Sequence, residues 1–487
     1  MSTAGNERKL QKAGSFHIQQ IEIITSTGLV VDLLGALIHI TFFEDIQSTS
    51  ITGNCLINDM LDISTLGPII GQEYLRMKIY TQTSNKEDEG IIDFTENLLV
   101  INSLQLQEEG ASGNKFLLLE FSTSELQKDQ RVRINQSYTG SYSDIFKKIM
   151  RSHLSSKKKL YVEPSSGVRK IVFPNFSPFE AINMMKRQAV SAHDGSPTYM
   201  FFEDFKGYHF RSLSSMYAEP TTITYKTSVP GSKPGILAEK PNDPHSDLST
   251  VIDFQIQAIG DSAAAQRLGS YGSELISYDT YTRRHKTTIY NYLDNFGNET
   301  HVTAGMDTNK DEFPLISATP VQGTSRISDF HARRYLVPNA NYVDDKNNYT
   351  NLTVLHDDKG EPVYNAAQPE TWLQKRQSQL FQLDHGITCS IKTNGNSLTD
   401  CGDVVEFNLP AVATAKTEDN DKLDFFYRDR FLIKRIRQDF NLASKKHESI
   451  MTLVKDSLSK ELESSGESLE FQPEDNDEII ENFYVKT

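Results

Sequence analysis

The chain has 487 residues and a mass of 55.0 kDa, which at roughly 100–200 residues per domain means about three or four structural units. Hydrophobic residues make up 37%, with 26 Phe and 20 Tyr against a single Trp, so a chain disordered by composition is excluded. Sixty-five acidic against 50 basic side chains leave a net charge of −15, which excludes a sequence-independent nucleic-acid binder working through a basic groove.

Residues 1–14 read as an N-terminal arm without the apolar h-region of a secretory leader. The most apolar stretch, Gly28 to Phe43, is shorter than a membrane span and contains Asp32 and His39, so no membrane insertion is expected. From about Ser15 to Arg133 the hydrophobic period is two. Leu75, Met77 and Ile79 face one way and Arg76, Lys78 and Tyr80 the other, which predicts a half-buried strand. Further strands are predicted at Ile38–Phe42, Gly53–Ile57, Leu98–Leu104 and Phe116–Phe121, with turn material such as Ser64-Thr65-Leu66-Gly67-Pro68 between them. Residues 15–135 therefore read as a β-barrel or sandwich.

After Tyr138 the period becomes helical. Ile145, Phe146, Ile149, Met150 and Leu154 form one apolar face behind Ser143 as N-cap, and Ser177, Pro178 and Glu180 form a capping box ahead of Phe179, Ile182, Met185 and Ala189. A hairpin follows, with Tyr199–Glu203 and Tyr208–Ser212 flanking Asp204-Phe205-Lys206-Gly207, so 136–235 reads as a small α/β domain. Val229–His245, rich in Pro, Gly, Lys and Asp, is the clearest linker. Strands resume at Val251–Ala258 and again from about Gln379, ending in Phe431–Arg437 and Ser449–Val454. The pieces 246–295 and 378–457 thus form a second β unit around a polar, weakly periodic insertion, 296–377. The acidic tail, 458–487, carries nine acidic residues against two basic ones. It reads as a solvated tail, or as a segment that orders on a partner through Ile479, Ile480, Phe483 and Tyr484.

Recognisable chemistry is sparse. There is no Walker loop, no GxGxxG after a strand, no HExxH and no GxSxG, so no catalytic, cofactor-binding or metal residue is assigned. Glu418-Asp419-Asn420-Asp421 lacks the Gly and terminal Glu of a calcium loop and reads as a hairpin tip. Adjacent Glu44 and Asp45 close a strand and point to opposite faces, although carboxylates from distant positions remain able to meet in space. Cys55, Cys389 and Cys401 are too few and odd in number for a disulfide framework and read as buried thiols suited to a reducing cytosol. Cys389 and Cys401 flank Thr393-Asn394-Gly395-Asn396, a hairpin signal that would set them on neighbouring strands.

The ordered pattern resembles a known family. Phe43-Glu44-Asp45-Ile46, Ser50-Ile51-Thr52-Gly53, Ile57-Asn58-Asp59 and Gly71-Gln72-Glu73-Tyr74-Leu75 resemble the opening module of the baseplate central hub proteins of contractile-tailed bacteriophages. Tyr138-Thr139-Gly140, Phe173-Pro174-Asn175 with Ser177-Pro178-Phe179, and Gly207-Tyr208-His209-Phe210-Arg211-Ser212-Leu213 continue it. Gly269-Ser270-Tyr271-Gly272-Ser273-Glu274-Leu275 with Tyr278-Asp279, and Gly395-Asn396-Ser397-Leu398 with Cys401-Gly402-Asp403-Val404-Val405, are similar to the second module. The resemblance covers about residues 15–456; the insertion and the tail match poorly.

The resemblance implies a mainly β fold with an α+β insert: two tube-type β-barrel modules of one fold, a small α/β domain and an irregular insertion. It implies a structural protein of the virion tail baseplate, assembled in the host cytoplasm, with no enzymatic activity and no cofactor. A homotrimer of about 165 kDa (3 × 55.0 kDa) would adapt a trimeric central spike below to a six-fold tail tube or tube initiator above, beside other baseplate proteins, with a lumen for DNA in transit. A hub of another contractile injection system follows the same logic, but such chains usually carry a fused C-terminal spike. A tail-associated cell-wall-degrading enzyme is the alternative from another class, disfavoured because no carboxylate pair sits in a convincing context. Apolar and basic residues mix on both faces of Phe431–Arg437, and Arg76 and Lys78 line the outer face of their strand, so Arg76, Lys78, Arg435 and Arg437 are the expected subunit-interface residues.

Overall fold

A computed structural model describes residues 13–59, 69–81, 90–109, 114–227, 248–278, 283, 285–307, 309–338, 355–356, 362–364, 369–410 and 423–462. Linker 229–245, the loop at 418–421 and nearly all of the tail lie outside these residues. Eight strands come first: β1 (Phe16–Ile24), β2 (Val30–Asp32), β3 (Leu37–Asp45), β4 (Thr52–Asn58), β5 (Tyr74–Thr81), β6 (Ile91–Asp93), β7 (Leu99–Glu109) and β8 (Asn114–Thr123). They are strands because every second residue is apolar and finds one core. On β5, Leu75, Met77 and Ile79 are fully buried while Arg76, Lys78 and Tyr80 lie on the half-exposed face. The order β1-β5-β7-β8-β4-β3 is antiparallel throughout and encloses Ile21, Ile40, Phe42, Met77, Leu119 and Phe121. Gly53 on β4 is required here, since a Cβ would lie 2.4 Å from both the Phe121 ring and the Thr41 carbonyl.

The α/β unit holds α1 (Ser124–Arg131), β9 (Ile134–Gly140), α2 (Tyr142–Ser152), β10 (Leu160–Val162), β11 (Val168–Phe176), α3 (Pro178–Gln188), β12 (Tyr199–Asp204), β13 (Gly207–Ser212) and α4 (Leu213–Tyr217). The capping box of α3 forms as expected, with Ser177 and Glu180 bonding each other's backbone N–H. The cap of α2 is corrected: Ser141 accepts from the Asp144 N–H, while Ser143 lies inside the helix, buried against Ser165. Phe146 stacks on Phe210 at 4.8 Å, and Phe179 and Phe201 complete an aromatic core.

A second ring forms from β14 (Thr224–Thr227), β15 (Thr250–Ala258), β22 (Ile387–Asn394), β23 (Val404–Asn408), β24 (Arg430–Asn441) and β25 (Lys446–Lys455). It closes on itself in the order β14-β23-β24-β25-β22-β15-β14. Its limits differ from the sequence reading. β14 comes from the segment assigned to the α/β domain, whereas β16 (Gly272–Tyr278) and β17 (His285–Asn291), counted with 246–295, are outside the ring. β16 pairs with β17 on one edge and with β19 (Arg333–Pro338) on the other. This satellite sheet, with α5 (Ser262–Leu268), α6 (Tyr292–Phe296) and the pairing of β18 (Phe313–Pro314) with β26 (Ser457–Leu458), packs beside α7 (Leu373–His385). β20 (Leu355–His356) and β21 (Pro362–Tyr364) extend the β11–β9 sheet. The Asn394-Gly395 signal does not make a hairpin. Gly395 lies against the His447 ring, where a Cβ would come within 2.1 Å, and the chain runs on to β23. All three cysteines are buried free thiols.

Taken in chain order, the six strands of each ring occupy the same places. β5-β7-β8-β4-β3 and β23-β24-β25-β22-β15 are antiparallel throughout in both. Irregularities coincide as well. A bulge between Ile101 and Ser103 on β7 matches one between Ile433 and Arg435 on β24, and a bulge between Leu37 and His39 on β3 matches one between Val251 and Asp253 on β15. The sixth strand differs, because β14 is parallel to both neighbours while β1 is antiparallel to β5. Among the described residues, β1 and β3 do not pair.

Candidate assembly surfaces

The rings are joined by a strand that serves both. The first half of β24 lies between β23 and β25, with Phe431–Lys434 buried on both faces; beyond the bulge its second half leaves β23 and pairs with β3, from Arg435 opposite Asp45 to Asn441 opposite His39. Phe440 thereby enters the first ring's core, 6.1 Å from Phe42 and 5.2 Å from Phe16. Arg435 Nε donates to Asp45 Oδ2 at 2.5 Å, Arg437 Nε to Asp439 Oδ1 at 2.9 Å, and the Arg437 guanidinium lies 5.9 Å from the Phe43 ring centre. Beneath them burial pushes the His447 imidazole down to about 3, so it is neutral and its Nε2 donates to Gln438 at 2.7 Å. Arg435 and Arg437 thus brace a junction within the chain. Arg76 and Lys78 are not brought near them. They form cross-strand ion pairs with Glu22 at 3.2 Å and Asp93 at 2.9 Å on the outer face of β5.

Register identifies the counterparts of the two strands that make this junction. Val100 faces Tyr74 as Leu432 faces Val404, and the N–H groups of Ile101 and Ile433 bond the carbonyls of Glu73 and Asp403, so β7 is the counterpart of β24. Past its bulge, however, β7 pairs only with β8 among the described residues. The counterpart of β3 is β15, on which Phe254 and Ile256 stand opposite the buried Ile391 and Cys389 and so face the core side. Their equivalents on β3, Ile40 and Phe42, are fully buried in the first core, which Phe440 from the second half of β24 joins; Phe254 and Ile256 are 40% and 47% exposed, and Ile252 is 46% exposed. These apolar residues are the ones sequence reasoning missed. Their alternation marks a half-buried strand and carries no sign that, among the described residues, no strand pairs beside them as β24 does beside β3.

Where the two rings meet the α/β unit, polar groups are buried together. Lys158 lies 2.9 Å from Glu125 and also contacts Glu203, whose other oxygen accepts from the Ile51 N–H at 3.1 Å. Nearby, Glu44 of β3, Asp204 of β12 and Asp400 and Asp403 before β23 converge around Lys206, which lies 2.9 Å from Asp400. Burial, then Asp400 and Asp204, raise the Glu44 carboxyl well above the usual range. All four carboxylates are buried. Among the described residues no group of three His, Cys, Asp or Glu side chains is arranged to hold a metal ion, and no helix is long and apolar enough to cross a membrane.

No protein-family model and no curated protein matches the chain. Its fold is similar to solved phage tail proteins. The tail protein from Neisseria meningitidis MC58 aligns with 91% of this chain and 97% of its own, at 11% identity and a TM-score of 0.48. The 43 kDa tail protein of prophage MuSo2 from Shewanella oneidensis aligns over 90% and 98%, at 9% identity and a TM-score of 0.49. The E. coli c3393 protein, a component of the type VI secretion system, aligns over 90% and 76%, at 9% identity and a TM-score of 0.33.

Proposed function

We propose that this chain is a structural hub of a contractile tail: three copies close a ring of six β modules that adapts a trimeric spike to a six-fold tube and leaves a lumen for DNA. The observation that carries the reading is the repeated junction. Within one chain, the second half of β24 pairs with β3; among the described residues the equivalent half of β7 pairs only with β8, and Phe254 and Ile256 on β15 are half-exposed. A strand edge with adjoining half-exposed apolar side chains is what a monomer avoids and an assembly uses. Laying β7 of one copy on β15 of the next repeats the internal contact between chains, a head-to-tail interface that forms a ring when the rotation closes. No step of bond chemistry is assigned to the buried carboxylates, which are taken up in holding three units together.

Native mass of the purified full chain, alone and mixed with spike and tube proteins from the same tail, tests the proposal. The expected species is about 165 kDa, three times 55.0 kDa. A monomer under every one of these conditions refutes it, and lysis of cell walls by the pure protein refutes a purely structural role.

A further inference from the structure

A second surface is independent of the ring contacts. Between α3 and α7 runs a groove of about 460 Å³, lined by Met184, Arg187, Trp372, Leu373, Arg376 and Leu380. Its charge is unusual for a chain of net charge −15. Lys186, Arg187 and Arg376 act on one another electrostatically, and none of the three has an ion-pair partner among the described residues. Arg376 is 8% exposed, and among the described residues its guanidinium donates to the backbone carbonyls of Pro197 and Tyr199, at 3.2 and 3.3 Å. The carboxylates close by are committed elsewhere: Asp45 to Arg435, and Glu299 to Lys375 and Gln379. Burial, with Arg376 and Arg187 close by, pushes the Lys186 ammonium down to about 8 against the pull of Asp45. Three clustered cations beside an indole and three aliphatic side chains make a surface for an acidic segment that carries apolar anchors.

We propose that the groove is occupied by this chain's own C-terminal segment, centred on Asp477-Glu478-Ile479-Ile480-Glu481-Asn482-Phe483-Tyr484. The charge is complementary, since residues 463–487 hold eight acidic side chains and one basic. The anchors are complementary too: Ile479, Ile480, Phe483 and Tyr484 suit the Trp372, Leu373, Leu380 and Met184 walls. Reach is no obstacle. The described chain ends at Leu462, shortly after β25, whose start-to-end neighbour is the C-terminal end of α7 through Ile387 opposite Lys455. Fifteen residues from there to Asp477 span up to about 50 Å, and the 13 residues of α7 are about 20 Å long. Docking a tethered segment is also favoured by its high effective concentration.

Trp372 is the chain's single tryptophan, so fluorescence reads the groove directly. In the full chain the proposal expects Trp372 to be shielded from acrylamide, and that protection to be lost in Arg187→Glu and in a chain carrying Ile480→Ser with Phe483→Ser. Arg187 is exposed, and far-UV circular dichroism confirms that each variant is folded. Combining Arg187→Glu with Glu478→Lys and Glu481→Lys restores the protection, which a merely structural role for Arg187 would not do. A synthetic peptide of residues 470–487 binds the Phe483→Ser chain about tenfold more tightly than it binds the same chain with Arg187→Glu added, a difference of about 1.4 kcal/mol. Equal quenching in the wild-type chain and both variants, or no rescue by the charge swap, overturns the proposal. So does protection that requires mixing with other chains, which would assign the segment to a neighbouring copy.

Discussion

Ile256 offers the sharpest test of the repeated junction. Substituting Ile256→Lys places a charge on a side chain that is 47% exposed in the isolated chain, so the long stem reaches solvent and folding stability changes by no more than about 0.5–1 kcal/mol. The same change in the assembled ring is severe. It forfeits burial of about 80 Å² of apolar surface, roughly 2 kcal/mol, and leaves a cation under a strand without a partner for at least about 1–3 kcal/mol more. The sum, about 3–5 kcal/mol per interface, corresponds to roughly 10²–10³-fold or more in the association constant. Phe42→Lys is the control, because Phe42 occupies the equivalent place on β3 but is fully buried in the first core; the substitution should unfold the chain itself. Thermal melting and light-scattering mass on both variants separate the effects. If Ile256→Lys assembles like the wild type, or melts as early as Phe42→Lys, the equivalence of β3 and β15 is wrong.

Two further outcomes follow from the described contacts. Met77→Asp should abolish folding, since it buries an unpaired carboxylate in the first core, whereas Arg76→Glu with Lys78→Glu breaks two half-exposed ion pairs and should cost about 1–2 kcal/mol in total while the fold survives; an assembly defect in the double variant would place β5 at a contact, and unchanged assembly would remove it. Glu44→Gln should become more stabilising relative to the wild type as pH rises. The Glu44 carboxyl is raised in the folded chain by burial and by Asp400 and Asp204, so its contribution is complete below the unfolded value of about 4.3 and is lost as pH climbs through the folded one, at about 1.4 kcal/mol per unit. Melting curves of both proteins from acid to alkaline pH check this, and a gap that stays constant would contradict it.

What could be read from sequence was what neighbouring residues decide among themselves. The α3 capping box and the alternation along β5 depend on contacts within one turn or one strand, and both appear where the pattern puts them. The cap of α2 was less legible because two serines compete. Ser165, 22 residues away, engages Ser143, and Ser141 takes the cap. Asn394-Gly395 failed as a hairpin signal for the same reason: Gly395 is needed for a close approach to His447, a contact no local rule contains. Least legible was β14. Thr224-Tyr225-Lys226-Thr227 has little pattern of its own, and it is a strand because β15 and β23 each offer it a parallel edge. Phe254 and Ile256 carry the same alternation as Ile40 and Phe42, so the difference that matters for assembly lies in which neighbour covers them.

That difference also explains why a chain with two similar rings serves better than one with a single ring. One β24–β3 junction is secured inside each chain by backbone hydrogen bonds, the Arg435–Asp45 pair and Phe440 in the first core, so it forms when the chain folds and does not depend on concentration. In the ring we propose, only the β7–β15 junctions remain to be made between chains, three instead of six, and each inherits a geometry the fold has already used once. Among the described residues the α/β unit and the satellite sheet built on β16 have no second copy. In the proposed ring they would recur at every second module, so that a surface of six repeats carries features in threes, which is the property needed where a six-fold tube meets a three-fold spike.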